Sequence, residues 1–217
     1  MNNNKRKPKL IIIDCDGVLY NPAELNVNAV LAAFNTACDE LNLGDERLAI
    51  DKNLNCKKPI GGIYNHIVSV AQRANITPNA VIKKTVKHID YSHIMPDKDN
   101  ILDLFHKISR KYNVCICTNN NKAHLNMVLK AKFGIRANQL PFEVFDAAFA
   151  KQDGKYHPKQ SVVFINKLEK HFGINACDFL WIDDDPMVKS DTAVFGSQSI
   201  LITKRRHLKS VLSNLLR

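Results

Sequence analysis

The sequence lacks long hydrophobic runs and paired cysteines. None of its apolar stretches approaches the roughly 18 to 20 residues that a transmembrane helix needs. The first nine residues are polar and basic, so we expect a disordered tail over residues 1–8, no signal peptide and a cytoplasmic protein. The six cysteines form no Cys-x-x-Cys pair. This absence argues against a zinc site or a disulfide framework and favours reduced thiols.

Aromatic residues are also scarce. There is one tryptophan, and aromatic residues make up 7% of the chain, with no aromatic-rich strand of the kind that stacks nucleic-acid bases. We therefore expect no nucleic-acid partner, although the formal net charge is +10. A basic surface attracts anionic ligands by long-range steering. Solubility alone is the alternative explanation of the charge.

Short apolar runs of strand length recur along the chain. They are rich in Ile, Val, Cys and Phe and show no alternation, as expected of strands buried on both faces. Their positions are 9–14, 113–118, 178–183 and 198–203, with a weaker run at 147–150. Helix-period segments ending at Gly134 and Gly173 separate them. This alternation predicts an α/β fold with a doubly wound parallel sheet.

Residues 22–99 interrupt the alternation, because they contain helix-period segments and no convincing strand. An insert between the first two strands cannot lie within the sheet, so we expect it to stand over one edge as a helical cap. The predicted organisation is a core domain formed by residues 9–21 and 100–217, with the cap at 22–99. In the cap, the candidates for substrate contact are Lys57, Lys58, Tyr64 and His66.

Polar residues follow three of the predicted strands at their carboxyl ends, where open parallel sheets bind ligands. These residues are Asp14 and Asp16, then Thr118 and Asn119, then Asp183, Asp184 and Asp185. Converging carboxylates repel one another unless a cation neutralises them. Oxygen ligands without His or Cys suit Mg²⁺. Turns or helix caps are the alternative explanation for the same residues.

The order of these motifs resembles that of the haloacid dehalogenase-like superfamily. The chain reads hhhhDxDGVLY at the first strand (h apolar), hhhTN at the second, a lysine before a later helix, and hhhDD at the run 178–183. Residues 14–21, 88–97 and 118–124 resemble the pyrimidine 5′-nucleotidases and related small phosphatases, although Gly17-Val18 replaces their Asn-Thr. The resemblance implies a Rossmann-like core with a helical C1-type cap after the first strand.

The resemblance also implies a role for each motif. Asp14 would attack phosphorus and form an aspartyl-phosphate. Asp16 would act as general acid and then as general base. An acid at this position indicates a phosphatase or phosphomutase rather than a dehalogenase. Thr118 and the backbone N–H of Asn119 would hold the phosphoryl oxygens.

Metal binding and the third motif complete the implied site. Asp184 would hold Mg²⁺ together with Asp14 and the backbone carbonyl of Asp16. Asp183 would orient these ligands without contacting the metal itself. The lysine of the third motif is assigned to Lys159, because it lies about fourteen residues before Gly173, the usual distance to the helix end. Lys155, which has a Lys-x-x-Pro spacing, is the alternative.

These assignments predict a Mg²⁺-dependent phosphatase that acts on a nucleotide or another small phosphorylated metabolite. A phosphotyrosine phosphatase with a phosphopeptide substrate is one alternative, and a basic binding module with a vestigial site is another. The eight histidines show no ligand spacing, so we expect surface or packing roles for them. Cys15 is expected to point away from the site. Residues 207–216 should form a helix that packs on the core, with contact to a membrane surface as the alternative.

Overall fold

A five-stranded parallel sheet forms the centre of the molecule. The computed structural model describes residues 6–46, 67, 69–152, 157–203 and 206–217. The sheet order is β3-β2-β1-β4-β5. The strands are β1 Leu10–Ile13, β2 Asn113–Cys117, β3 Glu143–Phe145, β4 Phe179–Asp183 and β5 Gln198–Leu201. The predicted α/β class with a parallel sheet is therefore confirmed. Residues 1–5, Lys155 and the four candidate cap contacts lie outside the described residues.

Helices pack on both faces of the sheet. They are α1 Val27–Glu40, α2 (described over 69–73), α3 Pro78–His88, α4 Ile101–Ser109, α5 Lys122–Phe133, α6 Val162–Phe172, α7 Pro186–Ala193 and α8 Arg206–Leu216. On one face, Ile11 and Ile13 of β1 pack in a core that includes Phe105 of α4. On the other face, Ile12 packs in a core with Phe164 of α6. This two-sided burial is the doubly wound arrangement.

The weak strand predicted at 147–150 is wrong. The third strand is Glu143–Phe145, and residues 147–150 form a turn. β3 lies at the edge of the sheet, and its three residues run from exposed to buried. It therefore has no continuous apolar run. The turn contains Ala147 and Ala150, which are buried and imitate the composition of a strand.

In the described parts of the chain between β1 and β2 the regular elements are helices, as predicted for the cap. α1 and α3 pack on each other through buried residues such as Phe34 and Val81. The predicted domain boundaries at 22 and 99 remain predictions. At the other end of the chain, Leu208 and Leu212 of α8 are buried in the core beside α4, which confirms the predicted packing. Within the described ranges, no helix is long and apolar enough to span a membrane.

Candidate active site

Asp14 lies at the carboxyl end of β1, and its carboxylate contacts a buried lysine. The backbone N–H of Asp14 donates to the Ile182 carbonyl at 2.9 Å, which fixes the chain beyond the end of the strand. Lys159 Nζ lies 2.5 Å from Asp14 Oδ1 and 2.7 Å from Asp183 Oδ2. The backbone N–H of Lys159 donates to Asn119 Oδ1 at 2.8 Å. The side chain of Asn119 thereby anchors the loop that brings Lys159 to the two aspartates.

The carboxylates around Lys159 outnumber its single positive charge. Burial raises the pKa of Asp14 well above its usual range, and the charges of Asp183 and Asp16 raise it further, against the opposing effect of Lys159. Burial also raises the pKa of Asp184 to about 6, with a contribution from Asp183. Lys159 keeps its proton, because the two aspartates outweigh the effect of burial and raise its pKa. The cluster is therefore short of positive charge.

One carboxylate oxygen each from Asp14, Asp183 and Asp184 lies within 4.8 Å of the other two. An all-oxygen donor set of this kind fits a hard divalent cation such as Mg²⁺. Gly17 leaves the space for Asp184, because a Cβ at position 17 would overlap the Asp184 carboxylate. The backbone at Gly17 also has φ +79°, in the left-handed region. Asp183 was predicted to orient the metal ligands without binding the metal itself. Its carboxylate lies in this cluster and also pairs with Lys159.

The carboxylate of Asp16 lies in a different group of side chains. Its Oδ1 accepts hydrogen bonds from the Tyr20 hydroxyl at 2.5 Å and from His124 Nε2 at 2.9 Å, and its Oδ2 accepts one from Asn120 Nδ2 at 2.6 Å. Burial alone would raise the pKa of Asp16. The charge of His124 and these three hydrogen bonds outweigh burial and hold the pKa well below its usual range. The Asp16 side chain remains 24% exposed, so a ligand can reach it.

Thr118 and Asn119 follow β2 at the same edge of the sheet. Thr118 is fully buried, and its Oγ1 accepts from the Asn120 N–H at 3.0 Å. The alternative in which Thr118 caps the next helix is wrong, because the N-cap of α5 is Asn121. Similarly, Asp185 is the N-cap of α7. The capping alternative therefore applies to Asp185 but not to Asp183 or Asp184.

Sequence reasoning missed the side chains around Asp16. His124 was expected to have a surface or packing role; it is 5% exposed and its ring contacts Asp16, a contact that the sequence did not predict. Cys15 does not point away either, since its Sγ lies within 4.8 Å of an Asp16 oxygen and a His124 ring nitrogen. Burial and the neighbouring aspartates raise the pKa of the Cys15 thiol, which stays protonated. Tyr20 and His124 lie inside two of the three segments that resemble the nucleotidases, and this signal could have identified them.

Comparison with known proteins agrees with the geometry. A model of the haloacid dehalogenase-like hydrolase family matches residues 8–187. No curated protein matches the sequence. A predicted HAD-like family hydrolase from Porphyromonas gingivalis has a similar structure, with a TM-score of 0.58 at 16% identity over 98% of this chain and 99% of that chain.

Two further solved structures carry ligands. The HAD family enzyme bt-2542 from Bacteroides thetaiotaomicron, in complex with magnesium and inorganic phosphate, has a TM-score of 0.51 at 17% identity over 89% of this chain and 93% of that chain. A mutant of CbbY from Rhodobacter sphaeroides, in complex with xylulose-(1,5)-bisphosphate, has a TM-score of 0.54 at 16% identity over 89% of this chain and 85% of that chain. At these identities the likeness concerns the fold.

The family match covers most of the chain, and it includes the two aspartates that follow β1 and the Asp183–Asp184 pair. The predicted superfamily and hydrolase class are thus confirmed, while the nucleotidase subgroup remains a prediction. The chain belongs to the haloacid dehalogenase-like hydrolase family.

Proposed function

We propose that this chain is a Mg²⁺-dependent phosphatase that hydrolyses phosphate monoesters of small molecules through an aspartyl-phosphate on Asp14. The observation that carries the proposal is that Asp14 and Asp16, which both follow β1, have different neighbours. Asp14 lies with Lys159, Asp183 and Asp184 in a cluster suited to a cation. Asp16 lies apart in a group of hydrogen-bond donors. Two carboxylates in different surroundings can take different chemical roles.

In the first step, a carboxylate oxygen of Asp14 attacks phosphorus and the bond from phosphorus to the ester oxygen breaks. Asp16 gives its proton to the departing oxygen. Its pKa is low in the ligand-free protein, but a bound phosphate dianion is a like charge that raises the pKa of a neighbouring carboxylate. Binding of the substrate therefore favours the protonated form that this step requires.

In the second step, water attacks the phosphorus of the aspartyl-phosphate. Asp16, now ionised, accepts a proton from that water, and the bond from phosphorus to Asp14 breaks to release inorganic phosphate. Lys159 holds the carboxylate of Asp14 in place and balances part of the negative charge. Thr118 and the backbone N–H of Asn119 hold phosphoryl oxygens at the end of β2.

The residues that would hold Mg²⁺ are Asp14 and Asp184, with the backbone carbonyl of Asp16. When bound, Mg²⁺ would neutralise the negative charge of the carboxylates and of the phosphoryl oxygens. The all-oxygen donor set supports this choice of metal. Asp183, which pairs with Lys159, holds the lysine in the cluster.

A nucleotide or another small phosphorylated metabolite is the proposed substrate. Support comes from the segments that resemble the pyrimidine 5′-nucleotidases, and from the phosphate and sugar bisphosphate bound by the two structurally similar enzymes. A panel of nucleotides, sugar phosphates and phosphotyrosine peptides tests this choice. Turnover of the peptides alone would contradict it.

Hydrolysis of p-nitrophenyl phosphate tests the reaction itself. We expect turnover with Mg²⁺, none with EDTA, and a loss of more than about 10³-fold in the Asp14→Asn variant, because the nucleophile is gone. Asp103→Asn is the matched control, since Asp103 lies in an exposed ion pair with Lys107 on α4. Full activity of Asp14→Asn would refute the covalent mechanism.

A further inference from the structure

His124 connects Asp16 to a residue outside the site described above. Its Nε2 lies 2.9 Å from Asp16 Oδ1, and its Nδ1 lies 2.8 Å from the hydroxyl of Tyr91. Both His124 and Tyr91 are almost completely buried, at 5% and 4% exposure. The side chain of Asn121 accepts from the backbone N–H of His124 at 2.9 Å. The imidazole is therefore held both by the first turn of α5 and by Tyr91.

The hydrogen-bond pattern assigns the hydrogens of the imidazole. An ionised Asp16 can only accept, so His124 Nε2 carries the hydrogen of this bond. In a neutral imidazole Nδ1 is then an acceptor, and the Tyr91 hydroxyl can donate to it. When the imidazole is neutral, the Tyr91 hydroxyl thereby favours the tautomer that presents an N–H to Asp16, as a second hydrogen-bond partner commonly does for a functional histidine. When the imidazole is protonated, Nε2 still donates to Asp16, and Nδ1 donates to the Tyr91 oxygen.

Tyr91 and Asp16 lie on the two connections between the core and the inserted helices. Asp16 and Tyr20 precede α1, whereas Tyr91 follows α3. His124 lies on α5 and contacts both connections. The orientation of the Asp16 carboxylate therefore depends on both segments that join the inserted helices to the sheet.

We propose that His124 is a positioning residue for Asp16, and that Tyr91 fixes the tautomer in which His124 does so. The inference rests on the proposed function, because it concerns Asp16 as the proton donor to the departing oxygen. Asp16 is close to the carboxylate cluster that would hold Mg²⁺. A carboxylate without hydrogen-bond partners would turn towards the bound cation. The hydrogen bonds from His124 and Asn120 fix the direction of this carboxylate, so that it can face the departing oxygen.

This role has a consequence that a purely structural role lacks. A poor leaving group depends strongly on a proton donor, whereas a good leaving group such as p-nitrophenolate depends on it little. Attack by Asp14 is common to both. Misplacing Asp16 should therefore slow the hydrolysis of phenyl phosphate more than that of p-nitrophenyl phosphate, two esters of almost the same shape.

The experiment compares kcat/KM for the two esters in His124→Leu, with Mg²⁺ saturating. This constant reports only the steps up to departure of the leaving group, so the later hydrolysis of the aspartyl-phosphate does not enter. We expect the loss on phenyl phosphate to be at least about tenfold larger than the loss on p-nitrophenyl phosphate. The ratio of the two constants is independent of the fraction of folded enzyme, so partial unfolding does not imitate this result.

Three further variants make the test specific. His124→Gln keeps an N–H near the position of Nε2 and should restore most of the ratio. Tyr91→Phe removes only the hydroxyl and should shift the ratio in the same direction by a smaller factor, about threefold. His106→Leu is the matched control on the exposed side of α4 and should leave the ratio unchanged.

The possible failures are distinguishable. Equal losses on the two esters in His124→Leu would overturn the positioning role, because His124 would then only support the fold. An unchanged ratio in Tyr91→Phe would overturn the part assigned to the tautomer. Wild-type protein that hydrolyses neither ester would instead contradict the proposed function, and the inference with it.

Discussion

Asp14 and Asp16 are separated by one residue, yet their carboxylates have different neighbours. Residues two apart on a strand point to the same side, but β1 ends at Ile13 and the chain turns at Gly17. Asp14 consequently faces Lys159, while Asp16 faces His124. Their pKa values change in opposite directions. Burial and the charges of Asp183 and Asp16 raise the pKa of Asp14 despite Lys159, whereas the burial of Asp16 is outweighed by His124 and the hydrogen bonds, which lower its pKa.

The residues of the site divide into those that the sequence predicts and those that it does not. Asp14, Thr118 and Asp184 each end a recognisable apolar run, so topology alone brings them to one edge of the sheet. The contact between His124 and Asp16 joins residues 108 positions apart. It depends on side-chain directions at the start of a helix, which no periodic pattern specifies. Cys15 lies beyond the end of β1, where the alternation of a strand no longer sets the direction of a side chain.

Gly17 is predicted to control the binding of the metal through Asp184. In Gly17→Ala the new Cβ would overlap the Asp184 carboxylate, and the left-handed backbone would be strained. We expect a stability loss of about 1 to 2 kcal/mol and a Mg²⁺ requirement for half-maximal activity that rises at least about tenfold. Urea unfolding measures the first, and Mg²⁺ titration of p-nitrophenyl phosphate hydrolysis measures the second.

Gly44→Ala is the control for this substitution. A Cβ at Gly44 meets no atom within 4 Å, and its φ lies outside the left-handed region. It should change neither the stability nor the Mg²⁺ requirement appreciably. A Gly17→Ala variant that is destabilised but keeps the wild-type Mg²⁺ requirement would show that Asp184 does not depend on this space.

The position of a strand within the sheet determines how well the sequence predicts it. β1 lies between β2 and β4, and all four of its residues are buried. Such a strand must be apolar throughout, so its sequence signal is strong. β3 pairs with β2 alone, and only Phe145 of its three residues is buried. An edge strand this short leaves too few apolar residues to distinguish it from the turn that follows, in which Ala147 and Ala150 are buried.

The N-cap of α5 links the stability of a helix to the chemistry of the site. Asn121 accepts from the backbone N–H of His124 at 2.9 Å and is 6% exposed. Asn121→Ala should lower the free energy of unfolding by about 1 kcal/mol, as loss of a cap does. It should also lower kcat/KM, because the first turn of α5 positions His124. Urea unfolding and steady-state kinetics measure the two effects.

Asn26→Ala is the matched variant, since Asn26 caps α1 through the N–H of Asn28 at 2.9 Å. It should lower the free energy of unfolding by a similar amount, about 1 kcal/mol, without the loss in kcat/KM. Equal kinetic effects of the two substitutions would mean that the cap of α5 matters for folding alone.

Across the whole molecule, the charge of the chain and the charge of the site have opposite signs. The formal net charge is +10, which attracts phosphate esters at long range. At the end of the sheet, Asp14, Asp183 and Asp184 lie around the buried Lys159 and carry more charge than it balances. A surplus of negative charge is unfavourable for the metal-free fold and favourable for binding a divalent cation. The site thus reduces the stability of the protein in the absence of its metal.

This conflict predicts that Asp184→Asn stabilises the metal-free protein. The folded-state pKa of Asp184 is raised from 3.8 to about 6, so folding disfavours its ionised form. Above about pH 6 the carboxylate therefore lowers stability, and this penalty disappears as the pH falls towards the pKa of the unfolded chain. In EDTA at about pH 7.5 the variant should unfold at a higher urea concentration than the wild type, and the difference should vanish near about pH 4.

Magnesium should reverse the order of the two proteins. At a Mg²⁺ concentration about 100 times its Kd, the wild type gains about 2.7 kcal/mol, whereas the variant lacks a ligand and gains little. Asp103→Asn, on the exposed face of α4, should follow the wild type in both conditions. If Asp184→Asn were the less stable protein in EDTA at neutral pH, the carboxylate of Asp184 would be making favourable contacts in the fold. The surplus of negative charge at the end of the sheet would then not destabilise the metal-free protein.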